Sequence, residues 1–238
     1  MVDNFGFGDS ILYAMCKENR KHENPDTIAG KMWLIGRSYA ASPERRLGKI
    51  PDTLSEEQKK SLKSKTDSDF FGKLAKIMCE QERCKKIDSE ITDMMSESYR
   101  FDESEEDINL LKRSVSLVQQ FNEIIMESTE EYNRQKLCEA GLNGIERSPE
   151  NNISFASKYL HFHLPDLIYI MDSYSLANSK KANTSTKSEM QNFKSQFISQ
   201  YHEYANHVFC CYRIAQERKR DGKCYSPRGI DNYLMQRE

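Results

Sequence analysis

The most constraining feature of this sequence is a repeat of apolar residues every three or four positions, sustained over long stretches. This spacing places apolar side chains on one face of a helix, whereas a half-buried strand needs strict alternation, which is scarce here. Ten glycines and six prolines leave few breaks in 238 residues. The sequence therefore predicts an all-α, mainly helical fold. The repeats cover 70–95, 110–125 and about 187–218, and the apolar run 167–171 is a candidate short strand.

The chain is long enough for one substantial domain, which at this size buries roughly 70–75% of the surface that the unfolded chain exposes. No change of composition divides it sharply. We therefore expect a single domain over 1–238, arranged as one body or as two helical lobes. Two polar segments interrupt the helical pattern. Residues 50–69 are charged and predict either a helical surface insert or a mobile loop, and residues 178–188 predict an exposed loop.

Composition excludes several classes of protein. The 35 basic and 37 acidic residues give a net charge of −2, so the chain lacks a globally basic character, although a local basic face stays open. Seven cysteines without a CxxC pair argue against disulfides and for a reducing, cytoplasmic location. No signal pattern or apolar run of membrane-spanning length occurs, so we expect no membrane partner.

No motif for a common cofactor or metal is present. The chain contains no Walker loop, GxSxG, HExxH or GxGxxG sequence, so we predict no cofactor. His161 and His163, and likewise His202 and His207, are spaced closely enough to raise the question of a metal. No acidic or cysteine residue completes a known ligand spacing. We therefore predict no metal site, with His161 and His163 closing an amphipathic helix.

The central stretch 143–179 contains residues that typically end and begin helices, and their order predicts two helices joined by a hairpin and followed by a third helix. Gly141 and Gly144 are suited to ending the first helix, since glycine tolerates the left-handed conformation of a C-cap. Asn151 or Asn152 can cap the second helix. Asp172 follows the apolar run and is predicted to cap the third helix.

Residues 154–176, SFASKYLHFHLPDLIYIMDSYSL, resemble the core of the helix–hairpin–helix DNA glycosylases, especially the 8-oxoguanine DNA glycosylase fold. In that family a hairpin leads into a helix with a short motif, matched here by residues 154–157. The catalytic aspartate follows at the start of a later helix, where this chain has Asp172. The resemblance implies a glycosylase-like helical fold and removal of a nucleobase from DNA or a nucleotide, with Asp172 as the catalytic carboxylate.

Two further segments resemble small bacterial proteins with this fold, some of them associated with antiphage defence. They are 33–46, WLIGRSYAASPERR, and 225–234, YSPRGIDNYL. The resemblance implies nucleic acid or a nucleotide as a partner, a role in defence or DNA repair, and protein partners within a defence system.

Ser154, Lys158 and Tyr174 are the candidate substrate-binding residues of this segment, and at two of them the chain departs from the family. Ser154 stands where bifunctional members carry a nucleophilic lysine, and Tyr174 stands where histidine often follows the aspartate. Lys158 lies one helical turn after Ser154, at the edge of the apolar face. There we expect its ammonium to stay solvated and to contact phosphate rather than to form a Schiff base. Water is then the expected nucleophile and hydrolysis the expected outcome.

The aspartate has a physical rationale in this chemistry. Cleavage of an N-glycosidic bond develops positive charge on the sugar, which a nearby carboxylate stabilises. A helix N-terminus favours the ionised form of such a carboxylate. The alternative is that Asp172 is only an N-cap, and that the protein is a catalytically inactive nucleic-acid or nucleotide-binding component of a defence system.

Two groups of basic residues are candidates for phosphate contact. Arg37, Arg45 and Arg46 could bind the substrate's phosphate with their planar guanidinium groups, or could form ordinary ion pairs with Glu44 at a solvated helix end. A second cluster could contact a nucleic-acid backbone, because local charge governs such contact, or could simply be a charged helix end. This cluster consists of Arg218, Lys219, Arg220, Lys223 and Arg228.

Overall fold

The computed structural model describes residues 7–64 and 70–235, and within these ranges it contains helices and no strand. The mainly helical prediction is therefore confirmed. No helix in these ranges is both long and apolar enough to cross a membrane. The contacts of the backbone divide the chain into two compact units, Met1–Ser89 with Phe121–Phe155, and Glu90–Gln120 with Ala156–Glu238. The expectation of a single domain stays a prediction.

The first unit is built mainly from helices that begin before residue 90. Helix α2 packs against α1 and α4, and its apolar residues Ile28, Met32 and Ile35 are fully buried. Asn24 caps α2 with its side chain, and proline occupies the first helical position, where no amide hydrogen is needed. These helices are α1 (Phe7–Glu18), α2 (Pro25–Ser38), α3 (Glu56–Ser64), α4 (Phe70–Cys79) and α5 (Glu82–Met94).

The long helix α6, Glu105–Glu139, contributes residues to both units. Glu105, Glu106 and Asp107 form its first turn, where negative charge complements the helix dipole. At its other end the amide of Leu142 donates to the Leu137 carbonyl, and Gly141 has a φ of +72°. This is a Schellman ending, as the sequence predicts for Gly141.

The second unit is organised around α10, which contacts α8, α9 and α11. The stretch 187–218 is not one helix, because Ser195 ends α9 and residues 199–201 form a separate short 3-10 turn. The helices that end in this unit after residue 152 are α7 (Ile153–His163), α8 (Ser173–Ala182), α9 (Lys187–Lys194), α10 (His202–Arg220) and α11 (Pro227–Leu234), and the first three residues of α7 belong to the first unit.

Both predicted polar segments contain helix, which is one of the two alternatives for 50–69 but departs from the loop expected at 178–188. In 50–69, residues 56–64 form α3, and residues 65–69 lie outside the described residues. The loop predicted at 178–188 is confined to 183–186, so that prediction is wrong at both ends. The reason is that the capping box at Asp172 starts α8, which continues to Ala182, and a second capping box at Thr186 starts α9.

Polar contacts join residues 46–48 to residues 147–150 in the first unit. The amide of Glu150 donates to the Arg46 carbonyl at 2.8 Å, and the Asn133 side chain donates to the carbonyls of Leu47 and Arg147, each at 2.8 Å. Gly48 lies in this join with a φ of +91°. A Cβ at Gly48 would lie 1.8 Å from the Ser148 carbonyl oxygen, so the close approach requires glycine.

We expect Gly48→Ala to lower the free energy of unfolding more than the matched variant Gly144→Ala. Both glycines have positive φ, +91° and +80°, where a side chain costs about 1–2 kcal/mol. A Cβ at Gly144 meets no atom within 4 Å, so that variant measures the backbone cost alone. Chemical denaturation of both proteins gives the comparison. Equal losses would show that the close approach to Ser148 does not matter.

Candidate functional site

Asp172 is fixed at the N-terminus of α8 by a complete capping box. Its Oδ1 accepts the amide hydrogens of Tyr174 and Ser175 at 3.0 and 2.8 Å, and its own amide donates to the Ser175 hydroxyl at 3.0 Å. The predicted N-cap is therefore confirmed. The side chain stays 26% exposed. One carboxylate oxygen thus serves the cap, and the other remains for a further partner.

That partner is Lys158 on α7, whose Nζ lies 3.6 Å from Oδ2 of Asp172. The expectation of a solvated ammonium is wrong, because the Lys158 side chain is only 4% exposed. Every residue from Phe155 to Leu164 is buried, so α7 has no solvated edge. The sequence pattern of one apolar face did not reveal this, since Ser157, Lys158 and His161 occupy positions that are buried as well.

The pair has a distinctive electrostatic setting. Burial lowers the pKa of Lys158, and the negative charges of Asp172 and Asp231 offset this effect only in part. For Asp172, burial acts to raise the pKa, but the amide of Ser175 and the charge of Lys158 hold the pKa of this carboxyl below its ordinary value. The carboxylate is therefore stabilised as an anion, while the amine is closer to losing its proton than a solvated lysine.

A second ion pair lies close enough to Lys158 to influence its pKa. Arg228 and Asp231, one turn apart on α11, form a buried contact of 2.9 Å, and both influence the pKa of Lys158. Arg228 is a candidate for contact with a nucleic-acid backbone, and the structure places it in this buried pair. Arg218 is also buried, since it donates to the Cys224 carbonyl at 2.7 Å and lies 4.3 Å from the Tyr233 ring centre. Both arginines have structural partners that the sequence did not indicate.

The other members of the basic cluster remain on the surface. Lys219, Arg220 and Lys223 are exposed. Lys219 lies 5.9 Å from the ring centre of Phe101 and 5.8 Å from that of Tyr225, and Lys223 pairs with Asp221 at 3.0 Å. These three residues keep the exposure that phosphate contact requires.

The remaining predicted substrate-binding residues fall in different places. Arg37, Arg45 and Arg46 are exposed in the first unit, where Arg37 pairs with Glu44 at 3.6 Å and Arg46 pairs with Glu150 at 2.9 Å. Ser154 is half-buried in the first turn of α7. Tyr174 is 48% exposed beside Asp172. The structure thus joins Asp172 with Lys158 and Tyr174, whereas the three arginines belong to the other unit.

Asp172 is positioned by the residues before it, Leu167–Met171, which we call the central segment. This segment is buried, and it lies in no strand. The amides of Leu167 and Ile168 donate to the Leu164 carbonyl, but the carbonyls of residues 167–170 and the amide of Met171 are bonded by side chains. Tyr99 donates to the Leu167 carbonyl at 2.9 Å, Tyr204 donates to the Tyr169 carbonyl at 3.1 Å, and Ser157 accepts the Met171 amide at 3.1 Å. The candidate strand is therefore wrong, although the segment is as buried as a core strand.

Two histidines complete this arrangement. His161 Nδ1 lies 2.8 Å from the Ile168 carbonyl oxygen, and His207 Nε2 lies 2.7 Å from that of Ile170. The sequence pattern raised the question of a metal for these histidines and placed His161 at a helix end, but it did not indicate these bonds to the central segment. Among the described residues, no group of three or more His, Cys, Asp or Glu side chains is placed to hold a metal ion. One signal could have indicated this role. A short apolar run in a chain without other predicted strands has no neighbouring strand to hydrogen-bond its peptide groups, so polar side chains must do so.

Comparison of the chain with models of known protein families, with curated proteins and with solved structures gives no significant match.

We expect the free energy of unfolding to fall as the pH is lowered from 7 to 5, and His207 to be one cause. Burial lowers the pKa of His207 to about 4, against an ordinary value of 6.5. Below pH 6.5 the unfolded chain therefore binds a proton that the folded chain does not. This stabilises the unfolded state, by about 2 kcal/mol at pH 5.

Denaturation of His207→Gln at the same two pH values provides the comparison. Glutamine retains a donor for the Ile170 carbonyl but does not titrate. The variant should lose about 2 kcal/mol of the pH dependence of the wild type. Identical pH dependence in the two proteins would mean that His207 does not contribute.

Proposed function

We propose that this protein is an N-glycosylase that removes a nucleobase from DNA or a nucleotide, with Asp172 as its catalytic carboxylate. The observation that carries the proposal is the buried ammonium of Lys158, 3.6 Å from a carboxylate held at a helix N-terminus. The resemblance of 154–176 to helix–hairpin–helix glycosylases, together with its link to DNA repair or antiphage defence, supplies the reaction class. A fixed carboxylate suits a reaction whose transition state places positive charge on a sugar.

The position of Lys158 also changes the nucleophile that we propose. Because burial lowers its pKa, the Lys158 amine can be present without its extra proton and attack the C1′ carbon, while Asp172 stays ionised beside the positive charge on the sugar. The new C1′–N bond forms as the bond to the base breaks, and the base leaves with that electron pair and takes up the proton that the attacking amine loses. Opening of the sugar ring then gives a Schiff base between C1′ and Lys158. Lys158 replaces water in this scheme.

A second candidate is a binding component without catalysis, as in a signalling or defence assembly. It is favoured by the 4% exposure of the Lys158 side chain, which is typical of a structural ion pair. In that case Asp172 caps α8 and neutralises Lys158, and nucleic acid contacts the exposed residues Lys219, Arg220 and Lys223. The two candidates differ in whether a base is released.

We expect Asp172→Asn to reduce base release by about 100-fold or more, the usual loss when one electrostatic stabiliser of a transition state is removed. Single- and double-stranded oligonucleotides carrying 8-oxoguanine or an undamaged base are the substrates, and binding is measured in parallel. Asp166→Asn is the matched control, because Asp166 is an exposed carboxylate six residues away. Oligonucleotide binding without base release by the wild type would favour the binding component.

We expect borohydride to trap a covalent adduct with an oligonucleotide containing an abasic site, because hydride reduces the Schiff base to a stable amine. The adduct should be absent in Lys158→Gln and present in the control Lys180→Gln, since Lys180 is exposed and pairs with Glu203. Base release without any adduct would restore water as the nucleophile. An adduct that persists in Lys158→Gln would place the reacting amine elsewhere.

A further inference from the structure

The first unit contains a cavity of about 200 Å³ beside the C-terminal end of α6. Much of its wall is apolar, and α3 contributes Leu62. The other apolar wall residues are Leu47, Tyr132, Leu137 and Ala140. An engineered apolar cavity of about 150 Å³ holds a benzene molecule, so this cavity has room for one ring or a short chain but not for a nucleotide.

Arg147 places a half-buried positive charge at the wall of the cavity. Its Nε donates to the Gly48 carbonyl at 2.9 Å. Its two terminal amino groups donate to no group in the part of the chain that the structure describes, and no described carboxylate forms an ion pair with it. Burial lowers the pKa of this guanidinium. A half-buried cation without a counter-ion is costly, and a bound anion would offset that cost.

The other charged residues of the cavity neutralise each other. Lys136 and Glu139 lie one turn apart on α6, with 3.1 Å between Nζ and Oε2. Arg147 is therefore the cationic group that lacks a described counter-ion. It also lines a second, more open cavity with residues 48–52 and with Glu56 and Lys59, which pair with each other at 3.1 Å, so that the guanidinium can be approached from outside.

We propose that this cavity binds a small organic anion, with its carboxylate or phosphate on the terminal amino groups of Arg147 and its single ring or short chain against Leu47, Leu62 and Leu137. The planar guanidinium matches the two oxygens of such a group, and each charge-assisted hydrogen bond is stronger than a neutral one. All of these residues belong to the first unit, whereas Lys158 and Asp172 belong to the second. The proposal therefore stands independently of the glycosylase reaction.

Titration of the full chain with four probes tests the site, with binding followed by calorimetry. Benzoate and phenyl phosphate carry both a ring and an anionic group, benzyl alcohol lacks the charge, and inorganic phosphate lacks the ring. We expect benzoate or phenyl phosphate to bind about tenfold or more tightly than benzyl alcohol, since a charged hydrogen bond is lost with the alcohol. Inorganic phosphate should also bind more weakly, because it leaves the apolar wall uncovered.

Arg147→Gln should weaken the better probe by about tenfold or more. Arg134→Gln is the matched control, since Arg134 is an exposed arginine of α6 that pairs with Glu131 outside the cavity. Thermal unfolding without probe shows whether each variant is folded. If Arg147→Gln does not fold, Arg147→Lys decides the question, because lysine keeps the charge but lacks the planar fork.

Three results would overturn the proposal. They are no binding of either ring-bearing anion at millimolar concentration, equal binding of inorganic phosphate and phenyl phosphate, and unchanged affinity in the folded Arg147 variant. Loss of base release in Asp172→Asn has no bearing on this site, so failure of one proposal leaves the other standing.

Discussion

The second unit depends on a buried stretch of backbone whose carbonyl groups accept hydrogen bonds from side chains rather than from a neighbouring strand. A peptide group left unpaired in an apolar interior costs about 1–3 kcal/mol, so the central segment can be buried only because its partners are in place. Those described here come from Tyr99, Ser157, His161, Tyr204 and His207. The segment leads directly into Asp172, so the position of the carboxylate follows from these bonds.

The sequence predicted the helices well because a helix depends on residues close together in the chain, through its apolar spacing and the residues at its two ends. Apolar spacing marked α4, α5, α6 and α10, the acidic first turn marked the start of α6, and Gly141 marked its end. Asp172 was identified as a cap for the same reason, since a capping box involves residues only three positions apart. The loop at 178–188 was misjudged because polar residues can equally well form the exposed face of a helix.

The partners of buried polar residues could not be predicted in the same way. Arg218 bonds to a carbonyl six residues away, and Lys158 pairs with Asp172 across fourteen residues and a change of direction. The local sequence around a basic residue does not indicate whether the folded chain places a carboxylate or a carbonyl within bonding distance of it. The expectation of a solvated ammonium therefore failed for Lys158, and the sequence did not separate the buried Arg218 and Arg228 from the exposed Lys219, Arg220 and Lys223.

The central segment has a consequence for how this fold can change over evolution. Strands in a sheet bond through main-chain atoms, so almost any side chain can be exchanged without losing the pairing. Here the bonding atoms are encoded in individual side chains that lie far apart in the sequence. Relatives that keep this segment should therefore retain its tyrosines, serine and histidines together or replace them in concert. Such correlated substitution would identify the fold where overall sequence similarity has disappeared.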